Sequence, residues 1–156
     1  MTTTSESSGP RIPRVGVGCI VARDGLLLLV RSRSGYWSTP GGHLEFAESP
    51  AACAARETAE ETGVRVSNVD FVAITNDVMA EAGKHYITIW MRADADESTP
   101  VIGDPAEVAA VEWFAPDALP APLFPYFENL LSGRSWPAAP ANMPFATRPR
   151  TPSSTP

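Results

Sequence analysis

The chain has 156 residues, with 12 Lys plus Arg against 18 Asp plus Glu, 44% hydrophobic residues, 16 prolines and two cysteines. At about 100 to 200 residues per domain this is one domain with a real core and no room for a second catalytic unit. A formal charge of −6 argues against a nucleic-acid polymer as partner, because following a phosphate backbone needs clustered Lys and Arg, while nucleotides as small molecules stay open. Cys19 and Cys53 make no disulfide framework, and the first fourteen residues lack the charged and apolar regions of a signal peptide. The apolar run Val15 to Ala22 is far short of the roughly 20 residues of a bilayer span, so the expectation is a cytoplasmic protein with no membrane partner.

Residues 1–14 (MTTTSESSGPRIPR) and 137–156, which hold six of the 16 prolines, cannot bury enough apolar surface to offset their ordering entropy. Both are expected to be disordered, leaving 15–136 as the ordered domain. Val15 to Ala22 and Leu26 to Val30 flank Arg23-Asp24-Gly25, a hairpin signal. Arg31 to Gly42 reads as loop, punctuated by Gly35, Pro40, Gly41 and Gly42. Ser49-Pro50 fits an N-cap with proline at the first helical position and Gly63 fits the stop, so Ser49 to Thr62 is predicted helical. Val69 to Thr75 and His85 to Arg92 are rich in β-branched and aromatic residues and predict strands around a turn near Glu81 to Lys84. Glu107 to Phe114 predicts one more strand, and Leu123 to Ser132 a last helix beginning after Pro125. Strands before and after a central helix predict a layered α/β domain.

On the central helix Glu57, Glu60 and Glu61 stand at i, i+3 and i+4, within an arc of about 100°. The other face carries Ala51, Ala52, Ala55, Thr58, Ala59 and Thr62, small enough to lie close against a sheet. From Glu45 to Glu61 five glutamates face one arginine, Arg56, a local charge of −4. A solvated acidic face is the bland explanation of such a cluster. The Gly41-Gly42 turn ahead of it and the single local counterion favour a site for a hard cation, which takes carboxylate and carbonyl oxygens together with substrate phosphates.

Gly42, five residues, Glu48, seven residues, Arg56-Glu57, two residues, Glu60-Glu61, one residue and Gly63-Val64 resemble the Nudix box, the loop-helix-loop signature of hydrolases of nucleoside diphosphates linked to another group. The seven of these positions other than Val64, at roughly 7% background each, coincide by chance about once in 10⁸ starts. Thr58 departs from the bulky aliphatic that the family prefers there, though its methyl still packs. The flanks Trp37 to Phe46, Cys53 to Thr58 and His85 to Ile89 look similar to the MutT-like nucleoside triphosphate pyrophosphohydrolase branch. The resemblance implies an α/β/α sandwich with a mixed β-sheet and a loop-helix-loop catalytic motif. It further implies Mg²⁺, with Mn²⁺ as a substitute, a small nucleoside diphosphate derivative as substrate, and compatibility with a homodimer.

By matching positions, the resemblance makes Glu60 and Glu61 metal ligands with the Gly41 carbonyl, Glu57 a base or shared ligand, and Arg56 the group that orients it. Glu48 either braces the loop or binds a second metal, and Glu107, six residues before Trp113, is either a surface glutamate or a further ligand. Gly41 and Gly42 allow both a tight turn and the close approach of a phosphate. Arg31 and Arg33 are candidates for the phosphates, with Arg31 preferred, and His43 is a phosphate contact or a structural histidine. The resemblance makes the strand of His85, Tyr86 and Thr88 a lining of the base pocket; alternation puts Tyr86 and Thr88 on one face and His85 and Ile87 on the other, and Thr88 is the substrate-pocket candidate. Trp37 and Phe124 either stack on a base or belong to the core. Cys53 has no histidine beside it and is not expected to be a nucleophile. The function expected is Mg²⁺-dependent cleavage of a nucleoside triphosphate, including oxidised or noncanonical ones, to monophosphate and pyrophosphate. The alternatives are a diphosphohydrolase for ADP-ribose, a nucleotide sugar or a prenyl diphosphate, and a catalytically silent nucleotide-binding regulator. Relatives that cleave ADP-ribose tend to carry a proline some way after the box, so by the resemblance the absence of one between Val64 and Asp96 lowers the ADP-ribose alternative.

Overall fold

A computed structural model describes residues 11–138. Residues 1–10 and 139–156, where most of the two expected disordered segments fall, lie outside the described residues. The hairpin is present: β1 (Arg14–Arg23) and β2 (Leu26–Ser32) pair Ala22 with Leu27 and Arg23 with Leu26. The two turn residues both have positive φ, 52° at Asp24 and 76° at Gly25, the type I′ geometry that matches strand twist. The segment expected to be loop contains two short strands, β3 (Trp37–Ser38) and β4 (Gly41–His43). β4 runs antiparallel to β1, with Gly18 opposite Gly41 and Gly16 opposite His43. A Cβ on Gly41 would strike the Val17 carbonyl, so the glycines that read as punctuation are what lets this strand lie there.

The helix α1 spans Pro50–Thr62; the Ser49 hydroxyl accepts from Ala52 N–H and Gly63 closes it in the left-handed region. The next strands are longer than predicted, β5 (Val66–Met79) and β6 (Lys84–Ala95), joined by one 3₁₀ turn at Ala80–Ala82. Register shifts at Ser67/Asp70 and Phe71/Ala73 interrupt the alternation of β5, which hides its first half from a period-two search. β7 (Val108–Phe114) starts one residue after Glu107, α2 covers Pro125–Leu131, and a two-residue strand β8 (Ser135–Trp136), which nothing in the pattern announced, pairs with β5.

The strands form one mixed sheet in the order β3-β2-β1-β6-β5-β8, with β4 on β1 and β7 on β2; β1 and β6 are parallel. α1 covers one face through Val17, Cys19, Val21, Cys53, Ala54, Val64, Met91 and Ala93. α2 covers the other through Ile20, Leu27, Leu29, Trp90, Phe127 and Leu130, completing the α/β/α sandwich. The buried stripe of α1 is Cys53, Ala54, Thr58, Glu61 and Thr62, while Ala52 and Ala59 are exposed. The expected small-residue face is thus rotated, and Glu61 turns under the helix instead of sharing a solvated arc with Glu60. Among the described residues no helix is long and apolar enough to cross a membrane.

Candidate active site

Arg56 organises the loop before α1. Its guanidinium donates through Nε and Nη2 to the two oxygens of Glu48 (2.7 and 3.0 Å), through Nη1 to Glu57 (2.9 Å) and Glu60 (3.2 Å), and through Nη2 to the His43 carbonyl (3.3 Å). Glu45 stands 3.8 Å away. The fork on Glu48 holds that carboxyl down at about 2, chiefly through the Arg56 hydrogen bonds. Glu48 also accepts from the Glu45 N–H (3.1 Å) across a turn in which Ala47 takes φ 62°, so the loop is tied to the helix at one residue.

Glu61 has a different environment. It is 8% exposed, and its Oε2 accepts a hydrogen bond from the Gly41 N–H (3.1 Å). Burial pushes its carboxyl up to about 8, and Glu57, Glu107 and Asp104 push in the same direction. Glu57 is also raised, by burial first, against the pull of Arg56 and with Glu60 and Glu107 adding to the rise. A Cβ on Gly42 would fall on the Glu57 carboxylate. The glycine pair thus lets Glu57 and Glu61 reach the β4 backbone, the first part-buried and shared with Arg56, the second buried with no cation beside it among the described residues. That deficit is what a divalent cation neutralises, so the donors present fit one. Among the described residues no three acidic, His or Cys side chains converge into a finished ion cage.

Beside the glycine pair, on the α2 face of the sheet, is a cleft of about 260 Å³ lined by Gly16, Gly18, Thr39, Thr88, Phe124 and Tyr126, among others. Register explains the lining. Gly16 and Gly18 pair with Thr88 and Trp90 across β1 and β6, and Thr75 and Asp77 pair with Thr88 and Tyr86 across β5 and β6, so their side chains share one face. Glycines on β1 leave the hollow, and the side chains of β6 form its wall.

The family model for the NUDIX domain matches residues 12–131, nearly all of the described chain. The chain belongs to the Nudix hydrolase family. A MutT-like protein of Streptomyces ambofaciens is 33% identical over 123 residues, covering 75% of this chain and 73% of that one. The crystal structure of a MutT NUDIX hydrolase from Burkholderia pseudomallei superposes with a TM-score of 0.71 at 30% identity, covering 75% of this chain and 94% of that one. Both set this Nudix hydrolase in the MutT-like branch. The NAD-capped RNA hydrolase NudC of Pseudomonas aeruginosa is 32% identical over 104 residues, 65% of this chain and 36% of the longer protein. Nudix hydrolases in general use a divalent metal.

Within this Nudix domain the structure brings Gly41, Gly42, Glu48, Arg56, Glu57, Glu60 and Glu61 together. Glu107 is exposed in the turn just before β7, near enough to raise both Glu57 and Glu61. Arg31 lies apart from the cleft lining, its guanidinium 5.6 Å above the Trp37 ring, and Arg33 donates to the Pro105 carbonyl. Trp37 is core, against Phe114, whereas Phe124 reaches the cleft beside Tyr126. His43 shares a 3.1 Å hydrogen bond with the Tyr86 hydroxyl. The Cys53 thiol donates to the His43 carbonyl (3.4 Å) and burial pushes it up to about 12, which removes it as a nucleophile.

Thr88 lines the cleft, but its hydroxyl is spent on Asp77, which is 1% exposed and also accepts from Thr75 (2.7 Å) and Asn129 (2.8 Å). Sequence reasoning missed Asp77; an acidic residue inside an apolar strand run was the available signal. The fit at Gly42 gives a direct expectation. Gly42→Ala should displace the Glu57 carboxylate, lower turnover about 100-fold and leave a folded protein, as read by initial rates and circular dichroism. Retained turnover would separate Glu57 from the chemistry.

Proposed function

We propose that this chain hydrolyses a nucleoside triphosphate to the monophosphate and pyrophosphate with Mg²⁺, for which Mn²⁺ substitutes. The observation that carries the reading is the placement of the Glu57 and Glu61 carboxylates against the Gly41-Gly42 strand, beside a cleft of about 260 Å³. That volume lies just under the usual range for drug-sized ligands and suits one nucleoside, with its phosphates reaching the glycine pair. Glu57, Glu60 and Glu61, with the Gly41 carbonyl, would hold the cation. When bound, it supplies neutralisation of the diphosphate charge and a water of lowered pKa.

The chain's own groups do the rest. Glu57, held by Arg56 on one side and partly desolvated on the other, would accept a proton from the attacking water. Glu48 keeps Arg56 in position. Glu107 adds negative charge that strengthens the hold on the cation. The rim aromatics Phe124, Tyr126 and Tyr86 provide stacking surfaces for a base.

A panel of nucleoside triphosphates, ADP-ribose, a nucleotide sugar and a prenyl diphosphate, assayed with Mg²⁺, tests this reading. One pyrophosphate per monophosphate, from triphosphates above all others, is expected. A tenfold preference for ADP-ribose or a sugar nucleotide would replace it with the diphosphohydrolase alternative. Nucleotide binding without turnover would favour a regulator.

A further inference from the structure

The chain carries −6 overall, yet one hollow next to the cleft has the opposite character. A groove of about 540 Å³ at the open end of the β1, β5 and β6 strands is lined by Arg11, Arg14, Lys84 and His85, with the exposed apolar Ile12 and Val78 as part of its walls. No acidic side chain lines it, and among the described residues Arg11, Arg14 and Lys84 make no ion pair. Lys84 and Tyr86 line both hollows, so the groove continues the cleft. Arg14 pairs with Tyr86 and therefore shares the sheet face of Gly16, Gly18 and Thr88. From Gly18, which pairs with Gly41, to Arg14 is four residues of strand, about 13 Å, less the reach of the arginine side chain.

The geometry points to a second anion subsite, at the end of the cleft remote from the Gly41-Gly42 strand, that takes a phosphate carried on the same nucleotide. This rests on a nucleoside occupying the cleft as proposed above. Bases carry no phosphates, so the attachment points remote from the 5′ chain are the ribose 2′ and 3′ oxygens. The ligand class is thus a nucleoside 5′-phosphate derivative bearing a further 2′- or 3′-phosphate. Clustered, unpaired Arg and Lys recognise such a group through charge-assisted hydrogen bonds.

Equilibrium binding of AMP, adenosine 3′,5′-bisphosphate, adenosine 2′,5′-bisphosphate and inorganic phosphate to the full chain, by calorimetry, tests this subsite. One bisphosphate is expected to bind at least tenfold more tightly than AMP, with the advantage shrinking as salt rises. In Arg11→Ala/Arg14→Ala the ratio of the two affinities should fall to within twofold of one. Equal affinities in the wild-type chain, or a ratio that survives the double substitution, would overturn the subsite while leaving the nucleoside reading intact. Inorganic phosphate binding as tightly as the bisphosphate would assign the groove to a free anion and overturn it too. Failure of AMP and both bisphosphates to bind would remove the nucleoside reading and this inference with it.

Discussion

Glu61→Gln is expected to abolish most of the hydrolysis and, at the same time, to stabilise the metal-free protein. On the proposed role of Glu61 as a metal ligand, losing several kcal/mol of charge stabilisation lowers the rate on the order of 10³-fold. The gain in stability comes from burial. In the unfolded chain this carboxyl ionises near 4.5; in the fold it holds its proton up to about 8. Between those values the folded state binds more protons, so Glu61 contributes stability that is complete below pH 4.5 and lost as pH rises to 8. At 1.36 kcal/mol per pKa unit the loss is about 5 kcal/mol at most. Glutamine is neutral and still accepts the Gly41 N–H. The metal-free variant should therefore unfold on the order of 5–10 °C above the wild type at pH 8 and level with it at pH 4.5. Added Mg²⁺ or Mn²⁺ should raise the wild-type midpoint more at pH 8 than at pH 5 and scarcely move the variant. Glu48, held down at about 2 by Arg56, acts in the separate window from 4.5 down to 2 with the opposite sign, so the two slopes do not mask one another. A wild-type midpoint flat from pH 5 to 8, or a fully active Glu61→Gln, would contradict the role given to this carboxylate.

That burial is where the sequence stopped being informative. Local rules are readable wherever a backbone need selects a residue type. Asp24-Gly25 stands at a turn with two positive φ values, Ser49-Pro50 at a helix start whose N–H groups need an acceptor, and Gly63 at a left-handed stop. The spacing of the box glutamates is a helix property and was likewise legible. Which of them faces the sheet depends on how α1 rolls against Val17, Cys19 and Met91, contacts distant in sequence, so Glu61 looked equivalent to Glu60 although one is buried and the other half exposed. The cleft was less legible still. Thr88 is reached by the family resemblance and alternation together, but its partner Asp77 and the neighbours Gly16, Gly18 and Phe124 come from other elements and meet only through register. Arg31 illustrates the converse: nearness to the catalytic loop in sequence left it stacked on Trp37 instead of in the cleft.

Substitution of Arg56 should cost less turnover than loss of Glu61 but still most of it, and lysine should not rescue it. Four carboxylates, Glu45, Glu48, Glu57 and Glu60, lie within 4 Å of its guanidinium, and the fork on Glu48 fixes the direction from which Glu57 is held. Arg56→Gln leaves that cluster without a counterion and frees the loop, so kcat should fall about 10- to 100-fold, the range for groups that orient a metal site from outside it. Stability should fall by about 1–3 kcal/mol, less than for a fully buried pair because the side chain is 26% exposed. Arg56→Lys keeps the charge and loses the planar fork; one ammonium cannot hold both oxygens of Glu48 together with Glu57 and the His43 carbonyl. If geometry is what Arg56 supplies, the lysine variant should recover most of the stability but less than a tenth of the kcat, with KM little changed in either variant. Recovery of kcat to within threefold of wild type would show that neutralising charge, and not aiming Glu57, is its contribution.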